Sequence, residues 1–165
     1  MERQSGTTEH MGRLQPILLV DDNPMDLDLT VKAMKEQGIT NPILICRDGE
    51  EALEFIERHH APDDPDLPLI VLLDLRLPKV DGIEVLRQAR EHPIWKRIPF
   101  IVLTTSRENT DINRAYDLGV NSYIVKPVDF PQFSELTKML KLYWVLTNEA
   151  PNSSNRLGEE RDAMQ

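Results

Sequence analysis

A chain of 165 residues has room for one domain of ordinary size with tails and excludes a pair of full-sized domains. Its 28 acidic and 19 basic residues leave a formal net charge of -9, which opposes binding to nucleic-acid backbones and anionic lipid. The longest apolar stretch, Leu69 to Leu73, is far short of the roughly 18 residues of a membrane span, and the opening residues lack the apolar core of a signal peptide. The single cysteine, Cys46, cannot form an internal bridge and reads as a small core residue. These features predict a cytoplasmic protein that needs no disulfide and has neither nucleic acid nor membrane as a partner.

Residues 1–13 are polar and lack apolar periodicity, so they predict a disordered arm, and residues 148–165 predict a disordered tail of similar character. Between them, residues 14–147 form one unit without internal repeats. Its hydrophobic pattern changes period repeatedly. Five short apolar runs predict strands at Ile17 to Val20, Ile43 to Cys46, Leu69 to Leu73, Phe100 to Leu103 and Ser122 to Val125. Runs apolar on both faces suit parallel strands covered by helices on both sides. The first helix is capped by Asn23, opened by Pro24 and ended by Gly38, with Leu27, Val31 and Met34 facing inward. Further helices are predicted near Glu50 to Arg58, Ile83 to Glu91 and Thr110 to Leu118, the last closed by Gly119, and then over Phe130 to Leu146. The alternation implies an α/β sandwich built on a parallel sheet.

In such sheets ligands bind beyond the carboxyl ends of the strands. Asp21 and Asp22 directly follow the first strand, and Asp74 directly follows the third. A lone aspartate there is as often a helix cap or turn residue. In the strand order 2-1-3-4-5, however, strands one and three are neighbours and the three carboxylates converge. Crowded carboxylates raise one another's pKa, and a divalent cation keeps them ionised. Oxygen-only ligands completed by water favour Mg2+ or Mn2+ over zinc. Thr104 closes the fourth strand and Lys126 with Pro127 the fifth, which adds a hydroxyl and an ammonium to the same crevice.

With these residues in place, the chain resembles the receiver domains of two-component response regulators over essentially all of residues 14–146. The resemblance is carried by the pair Asp21 and Asp22, by LLDLRLPKVDG around Asp74, by VLTTS with Thr104, and by YIVKP with Tyr123, Lys126 and Pro127. Spacing agrees with it, since Thr104 lies 30 residues after Asp74 and Lys126 lies 22 after Thr104. The resemblance implies a flavodoxin-like (βα)5 fold with sheet order 2-1-3-4-5 and helices on both faces. It also implies that Asp74 accepts a phosphoryl group from a phosphohistidine on a sensor histidine kinase. Asp22, Asp74 and the Arg76 backbone carbonyl would ligate Mg2+, with Asp21 acting mostly through water. Lys126, the Thr104 hydroxyl and the Thr105 backbone amide would hold phosphoryl oxygens, and Pro127 is expected in cis, aiming Lys126 inward. Thr104 and Tyr123 would form the switch, the ring turning from exposed to buried on modification. Such a module is no enzyme beyond its own phosphorylation and dephosphorylation. The stretches VLTTS, RIP and LYW are similar to the single-domain regulators associated with bacterial phytochromes.

Two residues depart from the common pattern. Arg76 stands two places after the phosphoacceptor and Thr105 follows the switch threonine, and both are expected to crowd attacking water and slow loss of the phosphoryl group. The last helix carries Met139, Leu142, Tyr143, Val145 and Leu146 outside its inner stripe, which predicts a homodimer face and leaves the modified surface to meet a downstream protein. Asp63, Asp64 and Asp66 precede the third strand at its amino end, so they read as a solvated spacer, and His10, His59 and His60 carry no phosphodonor role. Three other readings share parts of the pattern. A receiver fold can bind partners without being phosphorylated. A phosphatase of the haloacid dehalogenase type wants a second carboxylate where Arg76 stands, and a flavodoxin-like cofactor carrier wants a hydroxyl-rich cradle where Asp21 and Asp22 stand.

Overall fold

Apolar residues at consecutive positions become strands here because each position finds a covered face. The computed structural model describes residues 14–142. The expected arm over 1–13, the tail over 148–165, and Tyr143, Val145 and Leu146 of the expected dimer face lie outside the described residues. The elements run β1 (Ile17–Val20), α1 (Pro24–Glu36), β2 (Ile43–Cys46), α2 (Gly49–Arg58), β3 (Ile70–Leu73), α3 (Gly82–Glu91), β4 (Phe100–Thr104), α4 (Asn109–Asp117), β5 (Ser122–Val125) and α5 (Phe130–Leu140). All strand pairs are parallel, in the order β2-β1-β3-β4-β5. This is the predicted flavodoxin-like receiver fold.

Strand alternation divides the core in two. Leu18, Val20, Val71, Leu73, Phe100 and Val102 face a cluster shared with α2, α3 and α4. Ile17, Leu19, Ile70, Leu72 and Ile101 face the other side, where Leu27 and Met34 of α1 and Leu140 of α5 close over them. Cys46 is buried in the first cluster, and burial pushes its thiol pKa up to about 12, so it is an inert core residue.

Local signals set the helix ends. Asn23 accepts from the amides of Met25 and Asp26, Asp48 from Glu51, Asp81 from Ile83 and Asp129 from Gln132. Gly38, at φ 74°, ends α1 with its amide on the Lys35 carbonyl and that of Ile39 on the Met34 carbonyl, the paired closure that a left-handed residue permits. A 3-10 turn at Trp95–Arg97 was not legible in the sequence. There His92 Nδ1 accepts from the amides of Ile94 and Trp95, while buried Trp95 donates its ring N–H to the His59 carbonyl.

The loop between β3 and α3 returns on itself, with the Gly82 amide donating to the Leu75 carbonyl at 2.9 Å. A Cβ at Gly82 would stand 2.3 Å from the Asp74 carbonyl oxygen and 2.6 Å from Leu75 Cα. Backbone atoms cannot yield there as a flexible side chain would. Gly82→Ala is therefore expected to destabilise the protein by about 1–3 kcal/mol, seen as a lower urea midpoint; an unchanged midpoint would contradict this close approach.

Candidate functional site

Strand register sets the site. Val20 lies beside Leu73 and Thr104 beside Val125. Ladder hydrogen bonds then continue one residue past the strands, from Asp21 N to the Cys46 carbonyl (3.0 Å), Asp74 N to Val20 (2.9 Å) and Lys126 N to Thr104 (2.8 Å). The side chains of Asp21, Asp74 and Lys126 are thereby delivered to one crevice. Asp21, Asp74, Thr104 and Lys126 are buried, whereas Asp22 is exposed.

Asp74 is satisfied from three sides. Its Oδ1 accepts from the Thr104 hydroxyl at 2.8 Å and from the Arg76 amide at 3.2 Å, and its Oδ2 accepts from Lys126 Nζ at 2.9 Å. The same ammonium lies 2.8 Å from Asp21 Oδ2 and 2.8 Å from Asp26 Oδ2. Burial works against the charge on Lys126, but its bonds to Asp21, Asp26 and Asp74 outweigh this and hold its pKa above the ordinary lysine value. Burial also raises the pKa of Asp21, against the opposing pull of Lys126 and the Asn23 amide.

One ammonium cannot neutralise four carboxylates. Asp21, Asp22 and Asp74 each bring a ligand oxygen to within 4.8 Å of the others. That hard oxygen donor set, open to water on the Asp22 side, fits a divalent cation of the Mg2+ or Mn2+ class.

Several expected residues fall differently. The Lys126–Pro127 bond is trans, as are all peptide bonds among the described residues. Lys126 reaches the carboxylates from that isomer, the one an X–Pro bond prefers, so no cis bond is needed to aim it. Arg76 does not crowd Asp74 with its guanidinium, which pairs instead with Asp111 (2.7 Å) and Glu108 (3.3 Å) at the start of α4. Thr105 is exposed. Tyr123 is half-buried against the cluster shared with α2, α3 and α4, with its hydroxyl donating to the Ser106 carbonyl at 2.8 Å, a pose between the exposed and buried positions that the resemblance assigned to the switch. Asp64 is more than a spacer residue: it pairs with His59 at 2.8 Å and accepts from the Asp66 amide, while Asp63 is exposed. Met139 and Leu142 are exposed, at 62% and 54%.

Asp26, Ser106 and Asp111 were missed in the sequence. Asp26 and Asp111 are acidic residues in first helical turns, where a carboxylate is ordinarily explained by the helix dipole. Spacing alone gives no sign that Asp26 meets a lysine 100 residues away.

A buried aspartate at the centre of a parallel sheet, flanked by acidic residues, a lysine and a threonine, defines a receiver-type site. The chain belongs to the response regulator receiver domain family, which it matches over residues 17–140. It is 44% identical over 135 residues to the probable methanogenesis regulatory protein FilR2 of Methanothrix harundinacea, covering 82% of this chain and 86% of that protein. To the response regulator Rcp1 of Synechocystis it is 36% identical over 135 residues, covering 82% and 92%. Among solved structures, the Mn(2+)-bound form of Rcp1 superposes with a TM-score of 0.75 at 34% identity, covering 84% of this chain and 100% of that one. The phosphorylated cyanobacterial phytochrome response regulator RcpA does so with 0.76 at 36% identity, covering 84% and 99%. The chain thus resembles response regulators in both sequence and fold, one of them a phytochrome response regulator.

The raised pKa of Asp21 has a stability consequence. The folded state binds that proton more tightly than the unfolded chain, so the ionised carboxylate costs stability once pH rises through the folded pKa, and the cost is absent below the unfolded value. Without divalent cation at neutral pH, Asp21→Asn is expected to raise the melting temperature by about 2–4 °C, the shift that roughly 1 kcal/mol gives a chain of this size. Calorimetry in a chelator checks this, and a lower melting temperature would contradict it.

Proposed function

We propose that the chain is a single-domain response regulator whose Asp74 accepts a phosphoryl group from a phosphohistidine on a sensor histidine kinase, in a reaction dependent on Mg2+. The observation that carries this reading is the burial of Asp74 with its two oxygens divided between Lys126 on one side and Thr104 with the Arg76 amide on the other. A carboxylate oxygen of Asp74 attacks phosphorus in line, the phosphorus–nitrogen bond breaks, and its electron pair leaves with the imidazole. Lys126 and the Thr104 hydroxyl already point at the carboxylate, so they are placed to take phosphoryl oxygens as these arrive. The Thr105 amide is assigned the same duty. Asp21, Asp22, Asp74 and the Arg76 carbonyl would hold the cation, which when bound offsets the charge of the incoming phosphoryl group.

Partner recognition has a physical footing at the rim of the crevice. Met25, in the first turn of α1, is 73% exposed, and Val128, just past β5, is 87% exposed. Apolar side chains so open suit the helical surface of a kinase's phosphohistidine domain. The output is assigned to the face of α4, β5 and α5, through Thr104 and Tyr123, and to a downstream protein that reads it. No helix among the described residues is long and apolar enough to cross a membrane, and the cytoplasm, where such kinases present their phosphohistidine, is the proposed location. The relatives named for phytochrome signalling make a phytochrome kinase the proposed donor. The reading makes the chain a signalling module with no substrate of its own. An aspartyl-phosphate phosphatase is disfavoured because Arg76, two places after Asp74, is bound to α4 carboxylates.

Incubation with Mg2+ and acetyl phosphate is expected to add one phosphoryl group to the wild-type chain, by intact mass, and none to Asp74→Asn. Addition to both, or to neither, would overturn the assignment. Met139 and Leu142, with Tyr143, Val145 and Leu146 beyond the described residues, are proposed to form a homodimer face. Sedimentation is expected to show a concentration-dependent dimer that Met139→Glu weakens; a strict monomer at high concentration, phosphorylated or not, would remove it.

A further inference from the structure

Asp111 has no part in the reaction outlined above, yet it is one of the few buried charged groups of the fold, at 8% exposure. Its Oδ2 accepts from Arg76 Nη2 at 2.7 Å and from the Ser106 hydroxyl at 2.6 Å. The Ser106 hydroxyl in turn accepts from the Glu108 amide at 3.3 Å, and the Ser106 carbonyl accepts from the Tyr123 hydroxyl. Arg76 belongs at its other end to the phosphoacceptor, because its amide donates to Asp74 Oδ1. One carboxylate therefore joins the loop after Asp74, the loop after Thr104, the first turn of α4 and, through Ser106, the switch tyrosine.

A guanidinium rooted two residues from Asp74 has the length and the planar donor fork to embrace a phosphoryl group, which would make it a competitor for that group's oxygens. Here it is engaged elsewhere. A charge-assisted contact to a buried carboxylate is stronger than one to an exposed partner, and Glu108, on the exposed side, adds a second acceptor.

We propose that Asp111 is a positioning residue that holds the Arg76 guanidinium away from the aspartyl phosphate, keeping the in-line path of attacking water open, and that clamps the Ser106 loop against which Tyr123 rests. This rests on phosphorylation of Asp74. Phosphoryl lifetime and the pose of the switch face are then governed by the same contact. Releasing Arg76 lets it cover the phosphoryl group, and it loosens the start of α4 at the same time.

The test uses the full chain as wild type, Asp111→Asn, Arg76→Gln and the double variant. In the unphosphorylated proteins, Asp111→Asn is expected to speed hydrogen exchange of amides over 106–112 about tenfold while β1 and β3 stay protected. After phosphorylation with acetyl phosphate, Asp111→Asn is expected to slow phosphoryl loss about three- to tenfold, and to have no effect on that rate in the Arg76→Gln background. A merely structural role for Asp111 would not depend on Arg76. Unchanged exchange over 106–112, faster phosphoryl loss in Asp111→Asn, or the same effect with and without Arg76 would each overturn the proposal. Should the wild-type chain take no phosphoryl group, the function proposed for Asp74 fails, and the exchange arm still decides whether Asp111 clamps the loop.

Discussion

Lys126 meets Asp21, Asp26 and Asp74 at 2.8 to 2.9 Å, and the rest of the site is arranged around that contact. Two like charges about 4 Å apart repel by roughly 4 kcal/mol at an effective dielectric near 20, so carboxylates gathered at adjacent strand ends would force the crevice open or take up protons. The ammonium opposes both by bridging three of them. It leaves a negative surplus, with Asp22 outside the bridge and exposed, and that surplus suits a divalent cation. An arrangement that is poor for stability thus fits the metal and phosphoryl capture proposed for it, the familiar conflict between a functional site and the fold that carries it.

That bridge is possible because the sheet is parallel and its register is fixed by buried residues on both faces. A slip of one residue would carry Ile17 and Leu19 of β1, or Ile70 and Leu72 of β3, to the wrong cluster, so the core that holds the register also holds Asp21 beside Asp74. The order β2-β1-β3-β4-β5 then places β4 and β5 so that Thr104 and Lys126 approach the same aspartate from the far side. The close approach of Gly82 to the Asp74 carbonyl serves the same end by folding the following loop tightly beneath the site.

Most of this was legible in the sequence because it depends on short-range signals. The five apolar runs, the cap at Asn23 and the residues following the strands are all read from neighbours in the chain, whereas the caps at Asp48, Asp81 and Asp129 emerged only with the structure. Element bounds shifted by only a residue or so among the described residues. Leu69, for example, falls just outside β3, its amide bonded to the Pro16 carbonyl. What was not legible depends on long side chains and distant partners. The guanidinium of Arg76 can point in many directions, and only the packing of α4 supplies Asp111 and Glu108 as its destination. The same holds for Asp26, which a sequence window explains fully as a first-turn acid, and for Tyr123, whose half-buried pose needs the Ser106 carbonyl to stand where it does. The cis bond expected at Pro127 came from resemblance and not from a physical need, and the trans geometry delivers Lys126 equally well.

Two acidic groups in the same chain show how a functional carboxylate differs physically from a structural one. Burial would raise the pKa of Asp64, but the Asp66 amide and the His59 ring outweigh it and leave the group below its ordinary value. Asp21 has partners too, Lys126 and the Asn23 amide, yet burial and the neighbouring charge of Asp74 prevail and its pKa is raised. Asp64 has its partners supplied by the fold, whereas Asp21 shares one ammonium with two other carboxylates. Sequence sees the two clusters as equals, DDPD in one place and DD with a distant D in the other. The difference arises from where the strands end: at the carboxyl edge the described residues bring no imidazole to the carboxylates, which face one another. The direction of the shift therefore marks which acidic cluster is left wanting charge, and it is the one that surrounds Asp74.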